Sequence, residues 1–295
     1  MTSDGLPNTL VLHIGAHKTA STHLQHTLIA AKPIPNTAFW SPRLLRGPGE
    51  SVPERFGFPL DPKTAIVSQK SPQDMLVEMA DSADRLVISE ETFVGRLQRG
   101  WGRIPTPLYF TATARIAKFA QIVTEAGGPA IDLCLGIRNP TDYLASAYSQ
   151  ILNGNRVILP EKYRERNDIS DVNWADYVQR LRGVPGVGRL TVWRHEDYAD
   201  LFPQICMAMV GTGDIPVLAG RVQQRLSSKA VDTILLAKSW SGPEMIHKAA
   251  NALPLSPDNP PYDLYDEETH AQSQAFYNMQ CDAIAAMQNV TFLQK

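Results

Sequence analysis

Lys18 stands in a run of small and hydroxyl-bearing residues, Gly15, Ala16, His17, Lys18, Thr19, Ala20, Ser21 and Thr22, between an apolar stretch and an amphipathic one. A tight strand-to-helix turn aims several backbone N–H groups at one place, with the helix dipole behind them, and such a place takes phosphate. Lys18 adds a full positive charge, and Thr19, Ser21 and Thr22 add hydroxyl donors. The nucleoside-triphosphate form of this loop reads G-x-x-x-x-G-K-[ST]. Here His17, not glycine, stands directly before Lys18, and Gly15 lies only three residues before it, which disfavours an ATPase or GTPase. The competing reading is an ordinary turn whose hydroxyls merely cap a helix.

A second constellation lies at Arg138, Asn139 and Pro140, with Ser146 eight residues after the arginine. An arginine fork and a hydroxyl two helical turns on hold a phosphate dianion well. The alternative pairs Arg138 with Asp142 and leaves Ser146 filling a helix contact. Carboxylates and imidazoles that offer general-base chemistry are Glu90, Glu91 and His17. His13, inside an apolar run, reads as a hydrogen-bonded core residue. Trp193 suits either adenine stacking or the core.

These residues need a frame, and the sequence suggests one. Short apolar runs alternate with amphipathic stretches, which points to an α/β fold with a largely parallel central sheet and helices around it. Strands are expected at 9–14, 85–89, 131–137 and 189–193, and helices at 21–31, 112–126, 139–152, 173–181 and 198–210. Asn139 caps, Pro140 suits the first helical position and Asp142 favours the first turn. Arg138 thereby falls at the carboxyl end of a buried strand, where open α/β sheets bind ligands. Residues 33–80, rich in Pro, Gly and Arg, read as irregular loops or short helices shaping the acceptor side of a cleft. Residues 153–170 read as a mobile polar loop, in which Arg164 and Arg166 form a lid or, preferably, a solvated face. Residues 227–251 and 267–287 read as helical additions, divided by a proline cluster at 254–261. No linker divides the chain, so 1–295 is taken as a single domain: a phosphate-loop unit at 9–31, a second phosphate unit at 131–152 and a helical carboxyl-terminal part at 227–290.

A formal net charge of −2 gives no reason to expect nucleic acid, so anion binding must come from local geometry. Cys134, Cys206 and Cys281 are far apart and odd in number, which argues against a disulfide framework or a metal site. With neither a signal pattern at 1–8 nor an apolar run long enough to span a bilayer, a cytoplasmic location is expected.

Taken together, the two constellations resemble the donor-binding motifs of the sulfotransferase superfamily that uses 3′-phosphoadenosine-5′-phosphosulfate (PAPS). His17, Lys18, Thr19, Ala20, Ser21, Thr22, Leu24 and Gln25 resemble a first motif of approximate form H-K-T-G-T-T-x-x-L-Q, with Ala20 and Ser21 differing in type and one residue rather than two between Thr22 and Leu24. Arg138, Asn139, Pro140 and Ser146 follow the second in type and spacing. Ser89 with Glu90 and Glu91 is similar to the family's S-E element, and the segment from Trp193 to Asp197 to a later one. The resemblance spans about residues 9–235. It implies a P-loop-like sheet, no metal, and sulfuryl transfer to the hydroxyl or amine of an acceptor such as a carbohydrate, with adenosine 3′,5′-bisphosphate (PAP) released. It implies that Ala16 to Thr22 hold the 5′-phosphosulfate, that Lys18 stabilises the leaving oxygen, and that Arg138 and Ser146 hold the 3′-phosphate. Arg225, with Ser227 and Lys229, is a weaker match to a late donor contact. Glu90 is the first choice of base, with Glu91 and His17 behind it. Ala20 replaces a glycine; a negative φ is expected there, as for a residue entering a helix, and a positive one would weaken donor binding. A kinase-like phosphotransferase and a catalytically silent relative are the rival readings. Acceptor identity and oligomeric state stay open.

Overall fold

A computed structural model describes residues 5–295 except 62, 64, 65, 155, 221–224 and 237–242, and the side chains of 243–247. In chain order the elements are β1 (Thr9–His13), α1 (Ser21–Ala30), β2 (Thr37–Trp40), α2 (Pro42–Leu45), α3 (Val52–Arg55), α4 (Pro72–Ala80), β3 (Arg85–Ser89), α5 (Ala112–Glu125), β4 (Ile131–Ile137) and α6 (Pro140–Asn153). There follow α7 (Pro160–Arg164), α8 (Trp174–Arg182), β5 (Val187–Arg194), α9 (Phe202–Val210), α10 (Ser228–Leu236), α11 (Pro243–Ala252), α12 (Glu267–Ala285) and β6 (Val290–Leu293).

The six strands form one parallel sheet in the order β2-β3-β1-β4-β5-β6, the α/β architecture expected from the alternating pattern. β1 lies between β3 and β4, with His13 opposite Ser89 on one side and Cys134 on the other. The chain leaves β1 towards β2 and β3 but leaves β4 towards β5, so the carboxyl ends of β1 and β4 flank a topological switch point. A crevice opens there in doubly wound sheets.

Alternation along the strands divides the core. Leu10 and Leu12 of β1, Leu86 and Ile88 of β3, and Leu133 and Leu135 of β4 join one apolar cluster with α5, α6 and α8. Val11, Val87, Cys134 and Trp193 point the other way, into a second cluster with Leu24 and Leu28 of α1 and Ile205 and Met209 of α9. Complete burial of these side chains contributes roughly 1.5–3 kcal/mol each. The three cysteines are buried and unpaired.

Four features differ from the sequence reading. β2 and β6 escape it because each is four residues long and mostly half-exposed, with little period-2 signal. Segment 153–170 is not a loose loop: α7 buries Tyr163, and buried Asn167 accepts from the Ile104 N–H at 2.6 Å while donating to the carbonyls of Gly102 and Tyr163. Arg164 and Arg166 are exposed, in keeping with the preferred solvated face, but they also donate to the carbonyls of Leu264 and Trp101 and so anchor the segment. Finally, α9 starts at Phe202, four residues later than expected, after a 3-10 turn at His195–Asp197. No helix among the described residues is long and apolar enough to cross a membrane.

Candidate functional site

The loop after β1 and the end of β4 meet at the floor of a cleft of about 1070 Å³. The meeting is close. Gly136 of β4 has no room for a side chain, because a Cβ would stand 3.0 Å from the Thr19 hydroxyl and 3.1 Å from Trp193 Nε1. Gly15 lies at φ +51°, and a Cβ there would collide with Ser21 Oγ at 2.5 Å. Arg138 Nη1 then donates to the carbonyl of Lys18 at 2.9 Å, tying the two constellations together across 120 residues. The Arg138 carbonyl in turn accepts from Trp174 Nε1 at 2.7 Å.

Within the loop, hydroxyls and amides divide into those that hold the turn and those left over. Thr19 is buried; its hydroxyl donates to the Ala16 carbonyl at 2.6 Å and accepts the Ala16 N–H at 3.3 Å. The His17 N–H goes to the Tyr109 hydroxyl at 3.0 Å. The Ala16 N–H and the Thr19 hydroxyl are therefore engaged within the turn, and neither residue lines the cleft. The N–H groups of residues 18–23 find no acceptor among the described residues, and α1 has no side-chain cap. Unpaired amides at a helix start form an anion site. Lys18, Ser21 and Thr22 line the cleft beside them. Burial, then the neighbouring Arg138, push the Lys18 ammonium down to about 8.

Ala20 sits in the left-handed region at φ +68°, ψ +14°, and Lys18 also has φ +68°. The expected negative φ at Ala20 is wrong, because Ala20 precedes the first helical residue and makes the turn rather than entering the helix.

Arg138, Ser146 and Arg225 line the same cleft. Asp142 pairs with Arg225 at 3.1 Å, not with Arg138. Arg138 Nε is buried with no partner, and burial lowers the pKa of its guanidinium. A buried guanidinium N–H without an acceptor costs free energy unless a ligand supplies one. The helix behind it is built as its sequence suggests: Asn139 accepts from the Thr141 N–H, and Pro140 opens α6. Glu196 accepts from the Asn139 N–H and the Tyr277 hydroxyl, a brace from α12 that no local motif announces. Ser227 donates to the Leu253 carbonyl, and neither Ser227 nor Lys229 reaches the cleft.

The base candidates separate clearly. Glu90 is buried, takes a bidentate contact from Arg46 at 2.8 and 3.0 Å, and also accepts from the Thr92 N–H and hydroxyl. It does not line the cleft, which weighs against it as the base. Glu91, its neighbour, does line it. Burial pushes the Glu91 carboxyl up, but hydrogen bonds from Gln25 and the backbone, with Arg46 and His17 nearby, hold it below its usual range overall. His17 also lines the cleft, its Nδ1 2.9 Å from the Tyr109 hydroxyl. Burial lowers its pKa to about 4, against an opposing pull from Glu91, so the imidazole is neutral at pH 7.

Trp193 is 1% exposed and stacked against His13 in the sheet, so its place is the core rather than an adenine site. The aromatic edges that do reach the cleft are Tyr198 and Phe202, with Tyr198 bonded to His23 Nδ1 at 2.9 Å. Neither was legible in the sequence, and nor was Arg46, whose partners lie more than forty residues away.

No family model matches the chain, and no curated protein does. Among solved structures, a sulfotransferase from Alicyclobacillus acidocaldarius superposes over 95% of this chain and 94% of its own, at 16% identity and a TM-score of 0.44. A likeness at that level carries no argument about activity.

Proposed function

We propose that the protein moves a sulfuryl group from PAPS to a hydroxyl or amine of an acceptor. The observation that carries this reading is the Arg138–Lys18 contact, which sets two anion sites on neighbouring strand ends into one cleft. A ligand with phosphate at both ends of a nucleoside fits that arrangement better than a triphosphate does. The partnerless N–H groups of residues 18–23 and the orphaned Arg138 Nε are what such a ligand would satisfy.

PAPS supplies an electrophilic sulfur on a phosphate leaving group. The chain's part is positioning and charge. Ser21, Thr22 and the α1 amides hold the 5′-phosphate; Arg138, Ser146 and Arg225 hold the 3′-phosphate. Lys18, kept charged below pH 8, neutralises the bridging oxygen as its bond to sulfur breaks. His17 takes the acceptor proton at Nε2. When Tyr109 donates to Tyr143, at 2.9 Å, its oxygen accepts from His17 Nδ1–H, and Nε2 keeps its lone pair. Glu91 faces the imidazolium that forms. Ala20 is no reason to prefer the silent relative, because it already holds the backbone form that a glycine would supply.

The test is thermal shift with PAP against ATP plus magnesium, on the natural protein and on Lys18→Ala. PAP should stabilise the natural protein selectively. Stabilisation by ATP and magnesium alone, or undiminished sulfuryl transfer by Lys18→Ala, would defeat the proposal.

A further inference from the structure

Beside the cleft lies a second cavity of about 430 Å³, into which Arg96, Arg99, Arg115 and Arg156 all face. No carboxylate lines it among the described residues. None of the four guanidinium groups forms an ion pair within the described residues, whereas Arg46, Arg180, Arg194 and Arg225 all do. In a chain of net charge −2 this is not a shortage of acidic residues. Neutral groups hold the cations in place instead. Arg115 donates to the Phe93 carbonyl at 2.9 Å, Arg156 donates to the Gly100 carbonyl at 2.8 Å, and Arg99 lies 4.1 Å over the Phe110 ring. Each contact fixes a guanidinium and leaves other N–H donors unused. Arg96, Arg99 and Arg156 are exposed and Arg115 is half-buried, so water screens much of their mutual repulsion, and an anion between them would turn what remains into attraction.

We infer that this cavity binds an oxyanion (sulfate, phosphate or carboxylate) carried by the acceptor. Its position argues for a substrate. Tyr109 lines the cavity while its hydroxyl holds His17, and Arg115 also reaches the carbonyl of Thr92, a residue of the cleft. Recognition of the acceptor rests on the sulfuryl-transfer reading; oxyanion binding does not.

The test is calorimetric titration of the full chain with sodium sulfate and with glucosamine 6-sulfate, in two arms. One arm is saturated with PAP, and the other carries Lys18→Ala with Arg138→Ala, which removes two of the cleft's cations. Saturable binding should occur in both arms and weaken at least about tenfold in Arg99→Ala/Arg156→Ala. Arg96→Ala should weaken it too; that side chain is exposed and makes no hydrogen bond among the described residues, so an unchanged thermal melt of this variant separates lost binding from a folding defect. Tighter binding of the sugar sulfate than of inorganic sulfate identifies a substrate substituent; equal affinities identify a free-anion site and overturn the acceptor role. Absence of saturable binding, or binding indifferent to the arginine substitutions, overturns the site. Failure of PAP to bind in the first arm would instead count against the donor reading, and the second arm would still decide the cavity.

Discussion

Ala20→Gly tests the loop most directly, because the structure fixes the sign of the effect. An L-residue in the left-handed region costs roughly 1–2 kcal/mol, and glycine escapes that cost. Against it stands the extra freedom glycine gives the unfolded chain, about 0.4–1 kcal/mol. Glycine is also a better residue than alanine just before a helix. The net expectation is a gain of about 0.5–1 kcal/mol, a rise in Tm of about 1–3 °C for a chain of this size. Ala114, exposed and inside α5, supplies the contrast: Ala114→Gly should lose about 0.5–1 kcal/mol. Paired urea melts followed by circular dichroism measure both. Opposite signs support a positive φ at residue 20. Equal losses would refute it, and with it the claim that alanine here mimics the glycine form of the loop. Because the backbone already has its working shape, PAP affinity in Ala20→Gly should change by less than about threefold, or roughly 0.6 kcal/mol.

The remaining predictions concern charge. PAP affinity should fall above pH 8, where buried Lys18 loses its proton, and Lys18→Met should flatten that limb. The same group makes stability rise with pH between about 8 and 10.5, since there the unfolded chain holds the proton that the folded one has released; urea melts across that window read the slope. His17→Gln should lower kcat by about 10²–10⁴-fold with PAP affinity preserved. On the acid side, turnover in the natural protein should hold until pH drops towards 4, where the imidazole protonates. Glu90→Gln should cost about 1 kcal/mol of stability through its Arg46 contact and leave single-turnover rates intact; a kcat loss as large as that of His17→Gln would return Glu90 to the role of base.

What the sequence reveals and what it hides divide along the range of the interactions. The Lys18 loop and the Arg138 helix start were legible because each is a local device, a strand followed by a turn and a cap, and β1 and β4 carry them to the switch point. Trp193 was nearly legible. Parity along β5 puts Leu190 and Val192 in one core cluster and Trp193 in the other, facing α9 rather than any ligand. Glu90 and Glu91 were beyond reach, since one Arg46 nitrogen contacts both carboxylates and only the further contacts of Thr92 with Glu90 and of Gln25 with Glu91 separate them. Thr19 shows the limit most sharply. Its hydroxyl matches the motif in type and position, yet it packs so near β4 that a Cβ on Gly136 would stand 3.0 Å from it, and it donates its hydrogen bond to the Ala16 carbonyl. A motif names residues that belong to a phosphate loop. Which of them touch phosphate and which build the loop is settled by the packing beneath it, where the absence of a Cβ at residue 136 matters as much as the presence of a hydroxyl at residue 19.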